Sequence, residues 1–550
     1  MPTASKRWAY AIWVVLIGAF AVLHALNLSA DFPNHTPWYM DWAKYTDEGW
    51  YSNAAVRAHL IGNWYVPGDF NPAPAVPVWP FLEWILFFVT GVTIEAARGL
   101  AVTFFFVNLL LGYLLLRSRG PRWMALLALT LIVTNPFLYC FSRLAILEPM
   151  LTTLTLAALH IATRLPRLRH PITASVCIGV LFTLMMLTKT TAVFLLPALG
   201  WAMLASFREN SESDSQQGLP SLRSWISKQA LRCSVVAASA FALTFGLWMA
   251  LVIHFGLYAD YKYLFFINTY KKPTQFYWPL LSLWWSLHGA LWVDQILIPL
   301  TGLLLIGVVI AGTCLARRNS WARNLIKDPI FGASILAAAG YILFMTYQNH
   351  PQPRYFAVVA VFCFLAIARS TGALIAQSGL TRLLGFGAIA VAIGGAVANA
   401  AWTLSYATNP EFTFVVAAQE LTRYIDQHPN GNRLLVSISG DEISLITHLP
   451  ALCDDFGTPT PKYPDLSTKL AHYQPGWWAA WNDIDPGTLE DIHTHFSLEQ
   501  VASFRAFDDP DRNLLVLFKL HPLPGGHARE IKGANLQEAL PDDKIFIPVE

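Results

Sequence analysis

Apolar runs too long for a water-soluble core constrain this chain more than any other feature. Trp8 to Leu28, Met124 to Cys140, Ile172 to Leu187, Val235 to His254, Ile296 to Ala316 and Leu384 to Ala401 are uncharged. Each approaches the roughly 20 residues that a helix needs to cross a hydrocarbon core of about 30 Å. Less clean runs at Ala97 to Leu116, Met150 to Ile161, Thr191 to Phe207, Phe331 to Tyr347 and Tyr355 to Ile367 bring the expectation to about 11 transmembrane helices. Composition agrees: 55% of the residues are hydrophobic and 13% charged, about half the charge of an average soluble domain. The formal net charge of +2 offers no excess that would attract nucleic acid. The expected fold class is a polytopic α-helical membrane protein with a C-terminal soluble α/β domain.

Basic residues resist translocation, so the Lys/Arg content of short loops orients the bundle. With the N-terminus cytoplasmic, alternate turns are basic: Arg117/Arg119/Arg122, Arg164/Arg167/Arg169, Arg208/Arg223/Lys228/Arg232, Arg317/Arg318/Arg323/Lys327 and Arg369/Arg382. The pattern holds only if the proline-flanked stretch Val78 to Gly91 does not cross, which makes it an interfacial or re-entrant helix. The first run, preceded by Lys6 and Arg7, is too long for a typical signal-peptide core and reads as a span. Cysteines show no disulfide or CxxC spacing.

An odd number of crossings leaves the tail outside the cytoplasm. The expected division is a membrane module over 1–404, with a first external loop at 29–97, and a soluble periplasmic domain over 405–550 with an extended C-terminal end. Phe255 to Gln295 forms a further external segment. In the tail, Phe412 to Gln427 predicts an amphipathic helix closed by the turn His428-Pro-Asn-Gly431. Arg433 to Ser439 predicts a strand and Thr488 to His495 a short helix. Gln500 to Phe507 and Asn513 to Leu520 predict a hairpin joined through Asp508-Asp-Pro-Asp511. Trp477, Trp478 and Trp481 read as packed core rather than carbohydrate contacts.

The strongest chemical signal is Tyr45-Thr-Asp-Glu-Gly-Trp-Tyr-Ser-Asn-Ala-Ala55, an acidic pair opening an amphipathic segment after the first span. Thr46 is a candidate cap, and Asp47 and Glu48 suit the first turn of a helix on dipole grounds alone. Other groups give them a second meaning. Arg143 and Glu148 in Ser142-Arg-Leu-Ala-Ile-Leu-Glu-Pro149, Lys189 in Leu187-Thr-Lys-Thr190 and Arg354 in Asn349-His-Pro-Gln-Pro-Arg-Tyr355 all fall on the external face. Each taken singly is a snorkelling or anchoring residue; together they are an ionisable cluster at a membrane surface. Cations there hold a lipid-linked phosphate and offset its charge as it leaves, while a carboxylate takes the proton of an incoming hydroxyl.

These motifs, in this order over about residues 1–370, resemble the GT-C glycosyltransferases related to protein O-mannosyltransferases and the bacterial aminoarabinose transferase of lipid A, a glycosyltransferase family 39-like pattern. The resemblance implies a polyprenyl-phosphate sugar donor and a lipid, glycan or protein acceptor. It also implies Asp47 as base, Glu48 as its neighbour, Glu148 as a second acid near the acceptor, and Lys189, Arg354 and Arg143 on the donor phosphate. Trp50, Tyr51 and Tyr355 would stack on sugar. Many bacterial members carry Lys-Pro-Pro in the first loop. Here Phe70-Asn-Pro-Ala-Pro-Ala-Val-Pro-Val-Trp79 has no lysine, and Lys262, Lys271 or Lys272 would substitute. No obligatory metal is expected, and the histidines show no ligand spacing. The implied location is a bacterial inner membrane.

Two other classes compete with an inverting, single-displacement enzyme. A transporter or lipid flippase predicts charges buried mid-span and interrupted helices in matched halves, whereas the acids here gather in an external loop. A membrane-anchored scaffold places the work in the tail. An oligosaccharyltransferase fits less well, because the chain lacks Trp-Trp-Asp-Tyr-Gly and a first-loop Asp-x-Asp. The aromatics between Tyr258 and Trp292 read as an interfacial belt.

Overall fold

The computed structural model describes residues 4–34, 41–212, 227–267, 320–348, 352–454, 462, 464–507 and 512–523. The run Ile296 to Ala316, the candidate lysines Lys271 and Lys272, and the turn 508–511 lie outside them.

The chain is a multi-pass membrane protein, mostly helical. Helix α1 (Ala4–Leu23) is followed by the first loop, which contains α2 (Asp47–Leu60) and α3 (Val78–Thr90). The bundle continues through α4 (Ile94–Arg117), α5 (Arg122–Val133), α6 (Pro136–Ser142), α7 (Glu148–Ala162), α8 (Pro171–Thr188) and α9 (Leu196–Glu212). It then runs through α10 (Lys228–His254), α11 (Tyr258–Lys262), α12 (Ser320–Lys327), α13 (Pro329–Gln348), α14 (Phe356–Ile375) and α15 (Gly379–Thr408). Among the described residues six helical segments are long and apolar enough to cross a membrane, or seven if α5 and α6, bent by 70° at Thr134 and Asn135, make one span.

Several expected spans take other forms. The run from Met124 breaks where Asn135 starts a new helix, its side chain accepting the Leu138 N–H at 2.9 Å. The run from Met150 is a 15-residue helix with most side chains buried inside the protein, about 22 Å long. The 13 residues of α3 reach only about 20 Å, too short to cross. Its outer face still presents Phe81, Ile85, Phe88 and Val89, the surface of a helix that lies along an apolar phase.

One end of the bundle gathers the basic turns. Arg119 donates to Thr163 O at 2.9 Å, and Arg369 donates to Arg119 O at 2.9 Å and pairs with Asp328 at 2.5 Å. The first loop, the start of α7 and the α8–α9 break meet at the other end.

The tail folds as a mixed sheet flanked by helices. Strands β1 (Leu435–Val436), β2 (Ala451–Leu452), β3 (Trp477–Trp481), β4 (Phe496–Arg505) and β5 (Leu514–Pro522) run in the order β2-β1-β3-β5-β4. The first three are parallel, and β3–β5 and β5–β4 are antiparallel. Helices α16 (Thr413–Gln427), α17 (Gly440–Thr447), α18 (Leu466–Tyr473) and α19 (Pro486–His493) complete it.

The amphipathic helix, the short helix near Thr488 and the two strands of the hairpin lie where periodicity places them, within a few residues. The expected strand at Arg433–Ser439 shrinks to two residues: Ser437 N–H bonds to Leu452 O, and Gly440 begins α17. β3 has no alternation to reveal it, because Trp477-Trp-Ala-Ala-Trp481 is buried along its whole length, as a strand covered on both faces requires.

This unit is built around the first loop. Tyr45 lies in its core, with its ring 5.4 Å from Trp481 and 4.9 Å from Phe507. Helix α17 lies on α2 so closely that any Cβ at Gly49 would collide with the Glu442 backbone nitrogen. Arg57 pairs with Asp69 at 2.6 Å and Asp441 at 3.0 Å, and Asp69 pairs with Lys469 at 3.1 Å.

Candidate active site

Asp47 and Glu48 open α2 but face different partners, because successive residues of a helix point about 100° apart. Thr46 makes no side-chain cap bond; its hydroxyl instead faces two acceptors, Trp42 O at 3.2 Å and Asp47 Oδ1 at 3.4 Å. A 3₁₀ turn at Trp42–Lys44 precedes the helix, capped by Asp41, whose side chain accepts the Ala43 N–H at 2.7 Å.

On the Asp47 side, five ionisable groups from separate segments converge. Asp47 Oδ2 stands 3.0 Å from Arg354 Nε. Arg354 lies in a 3₁₀ turn, Pro353–Tyr355, leading into α14. The Asp41 carboxylate holds it at 2.5 Å through NH1 and accepts its backbone N–H at 2.7 Å. Glu148, the first residue of α7, pairs with Lys189. That lysine sits at the extended residue that separates α8 from the following 3₁₀ turn.

Tyr355 lies beneath both cations: Lys189 Nζ is 4.8 Å and Arg354 Cζ 4.9 Å from its ring. Tyr51, one turn along α2, lies 5.8 Å from Lys189 Nζ. Two cations and three carboxylates are therefore buried together. Asp47 Oδ2 and Glu148 Oε2 accept no hydrogen bond among the described residues. Each of these two acids therefore keeps one oxygen with acceptor capacity inside the cluster.

Burial pushes the Asp47 carboxyl up to about 6. Arg354 opposes the rise, Asp41 adds to it, Lys189 opposes it and Glu148 adds to it. A carboxylate so poised is ionised at neutral pH yet basic enough to take a proton. Burial, then the Asp47 charge, holds the Tyr51 phenol well above its usual value, so it stays a neutral hydroxyl. From the tail unit, burial and the neighbouring Glu48 push Glu442 well above the carboxylate range.

Other expected residues lie elsewhere. Glu48 turns to Arg98, which grips it through Nε at 2.8 Å and NH2 at 2.6 Å, and it also accepts the Ala145 N–H at 2.7 Å. Arg143 donates to Leu26 O at 2.6 Å, Asn27 O at 2.5 Å and the Tyr139 hydroxyl, which ties the end of α6 to the end of the first span. Trp50 donates to Ile438 O at 3.3 Å and packs on Phe70 with centroids 5.3 Å apart, a docking contact for the tail unit. Lys262 ends α11.

Sequence reasoning missed Asp41 and Arg98. Arg98 had a signal, a charge just inside an apolar run. Asp41 had none, standing in irregular sequence with no period.

Compared with known proteins, the architecture is similar to the folds of two solved enzymes. Over most of its length the chain is similar to ArnT from Cupriavidus metallidurans, solved bound to undecaprenyl phosphate, with 13% identity and a TM-score of 0.57 over 92% of this chain and 98% of that one. It is also similar to the Archaeoglobus fulgidus oligosaccharyltransferase in its apo form, with 14% identity and a TM-score of 0.51 over 89% and 71% of the two chains. At these identities the likeness is one of fold. The family model for dolichyl-phosphate-mannose-protein mannosyltransferases matches residues 72–215, a stretch that holds Glu148 and Lys189 but neither Asp47 nor Arg354. None of the curated proteins matches the chain in sequence.

Proposed function

We propose that this protein transfers a sugar from a polyprenyl-phosphate donor to an acceptor hydroxyl by a single inverting displacement, on the non-cytoplasmic face of a bacterial inner membrane. The observation that carries the reading is the convergence of Asp47, Glu148, Lys189 and Arg354 at one end of an apolar bundle, with orphan oxygens on both acids.

In this reading Asp47 Oδ2 takes the proton of the acceptor hydroxyl while the acceptor oxygen attacks the anomeric carbon. The bond from that carbon to the phosphate oxygen breaks on the opposite face, and its electron pair leaves with the polyprenyl phosphate. Lys189 and Arg354, set over one tyrosine ring, offset the charge that grows on the leaving oxygen. Those two cations supply the offset, so the step needs no obligatory metal. Glu148 holds Lys189 until the phosphate displaces it. Lys271 and Lys272 are further candidates for phosphate, and Tyr51 and Tyr355 for the sugar.

The N-terminus is assigned to the cytoplasm, and the 405–550 domain to the periplasm over the 1–404 module. The acceptor is a lipid, glycan or protein.

The test is turnover by purified protein with a panel of polyprenyl-phosphate sugars, following release of the lipid phosphate and the anomeric configuration of the product. Release with inversion is expected; retention, or no release from any donor, would count against the proposal.

A further inference from the structure

Asp41 lies outside every motif the sequence singles out, yet its carboxylate accepts three hydrogen bonds at the cluster. Its Oδ2 accepts the Arg354 backbone N–H at 2.7 Å; its Oδ1 accepts Arg354 NH1 at 2.5 Å and the Ala43 N–H at 2.7 Å. One carboxylate thus anchors both the main chain and the side chain of a residue 313 positions away.

A guanidinium beside a carboxylate ordinarily settles into a two-pronged pair. Arg98 and Glu48 do so, through Nε and NH2 at 2.8 and 2.6 Å. Arg354 approaches Asp47 most closely through Nε, at 3.0 Å, in a contact without hydrogen-bond geometry. Its NH2 is turned toward the Tyr355 hydroxyl, 3.5 Å away, on the ring that Lys189 also covers.

We propose that Asp41 is a positioning residue that acts through Arg354: by tethering NH1 and the backbone, it denies Arg354 a two-pronged grip on Asp47. The base is left open to a hydroxyl proton, and NH2 is left toward the donor phosphate. This role rests on the glycosyl-transfer reading.

Removing the Asp41 charge has a definite sign. The groups that bear on Asp47 are Arg354, Asp41, Lys189, Glu148, Tyr51, Tyr355 and, from the tail unit, Glu442. Without Asp41, a carboxylate that disfavours ionisation of Asp47 is gone, and Arg354 is free to close on Asp47 as Arg98 closes on Glu48. Both changes favour the ionised base. The acid limb of kcat/KM should therefore move to lower pH by about one unit, and the better-held base should be slower, with kcat down about tenfold.

A residue that merely caps the Trp42–Lys44 turn would behave otherwise, lowering activity equally at every pH. Three variants separate the cases. Asp41→Asn removes the charge. Asp41→Ser removes it but keeps an oxygen able to cap the turn, which covers the case in which Asp41→Asn fails to fold. Asp41→Glu restores the charge.

The experiment is the pH profile of sugar transfer by full-length protein, wild type beside these variants. We expect the acid limb to move down in Asp41→Asn and Asp41→Ser and to stay at its wild-type position in Asp41→Glu. An active wild type whose acid limb is shared by both neutral variants would overturn the role of Asp41 alone. An inert wild type would overturn it together with the transferase reading.

Discussion

Asp47 and Glu48 are adjacent acids at the same helix start, both buried, and the surroundings make different objects of them. Glu48 is held on both oxygens: it takes two prongs from Arg98 and the Ala145 N–H. Arg98 in turn donates to Leu28 O at 2.9 Å and Ala30 O at 2.7 Å. This network joins the end of the first span, α2, α4 and the loop before α7. Asp47 shares Arg354 with Asp41 and, among the described residues, keeps an oxygen without a hydrogen bond. A fully paired buried charge holds a structure together, and one left short of partners is free to react.

Breaking the Glu48 side should show in stability. Glu48→Gln leaves the Arg98 guanidinium buried without its counter-charge, a loss of about 3–5 kcal/mol, seen as a lowered thermal transition of the purified protein. On the Asp47 side, Lys189→Gln should weaken donor binding about tenfold to a hundredfold, the range for a hydrogen bond to a charged group of about 1.5–3 kcal/mol. Titration with a non-transferable polyprenyl phosphate measures it.

The contact between α2 and the tail unit is a third region against which the first two can be compared. Asp441→Asn removes one of two carboxylates that share Arg57, and Asp69 keeps the cation paired. A cost of about 1–3 kcal/mol is expected, localised to faster proteolysis or hydrogen exchange in α2 and α17, with kcat falling less than in any Asp47 variant.

The smallest effect needs no mutation. A base must be ionised to take a proton, and the Asp47 carboxyl is raised to about 6. Wild-type kcat/KM should thus be level above that pH and fall as pH drops through it. A profile flat down to pH 4.5 would remove Asp47 as the base.

The long apolar runs, the basic end of the bundle and the short α3 were legible because each rests on composition over a window. Glu148, Lys189 and Arg354 were legible because ionisable groups at the edges of apolar runs stand out. What separates Asp47 from Glu48 was not, since the helix rotation that sends one to Arg354 and the other to Arg98 has no local signal. The surroundings of Arg143 have no local signal either: a cation at a span end suits a phosphate, and here three oxygens of the chain itself take it up. In the tail, β3 was hidden because a strand covered on both faces loses its alternation. Helix α17 was hidden because its eight residues are stabilised by α2 rather than by their own sequence.

The most direct test is sugar transfer from a polyprenyl-phosphate donor by Asp47→Asn and Glu48→Gln side by side, each rate normalised to the folded fraction. Asp47→Asn should bind donor and melt as wild type does, yet turn over about a hundredfold to ten-thousandfold more slowly. Glu48→Gln should melt lower but retain most of its turnover per folded molecule. The reverse, an active Asp47→Asn beside a folded and inert Glu48→Gln, would contradict the account and assign the chemistry to the acid on the other face of the helix.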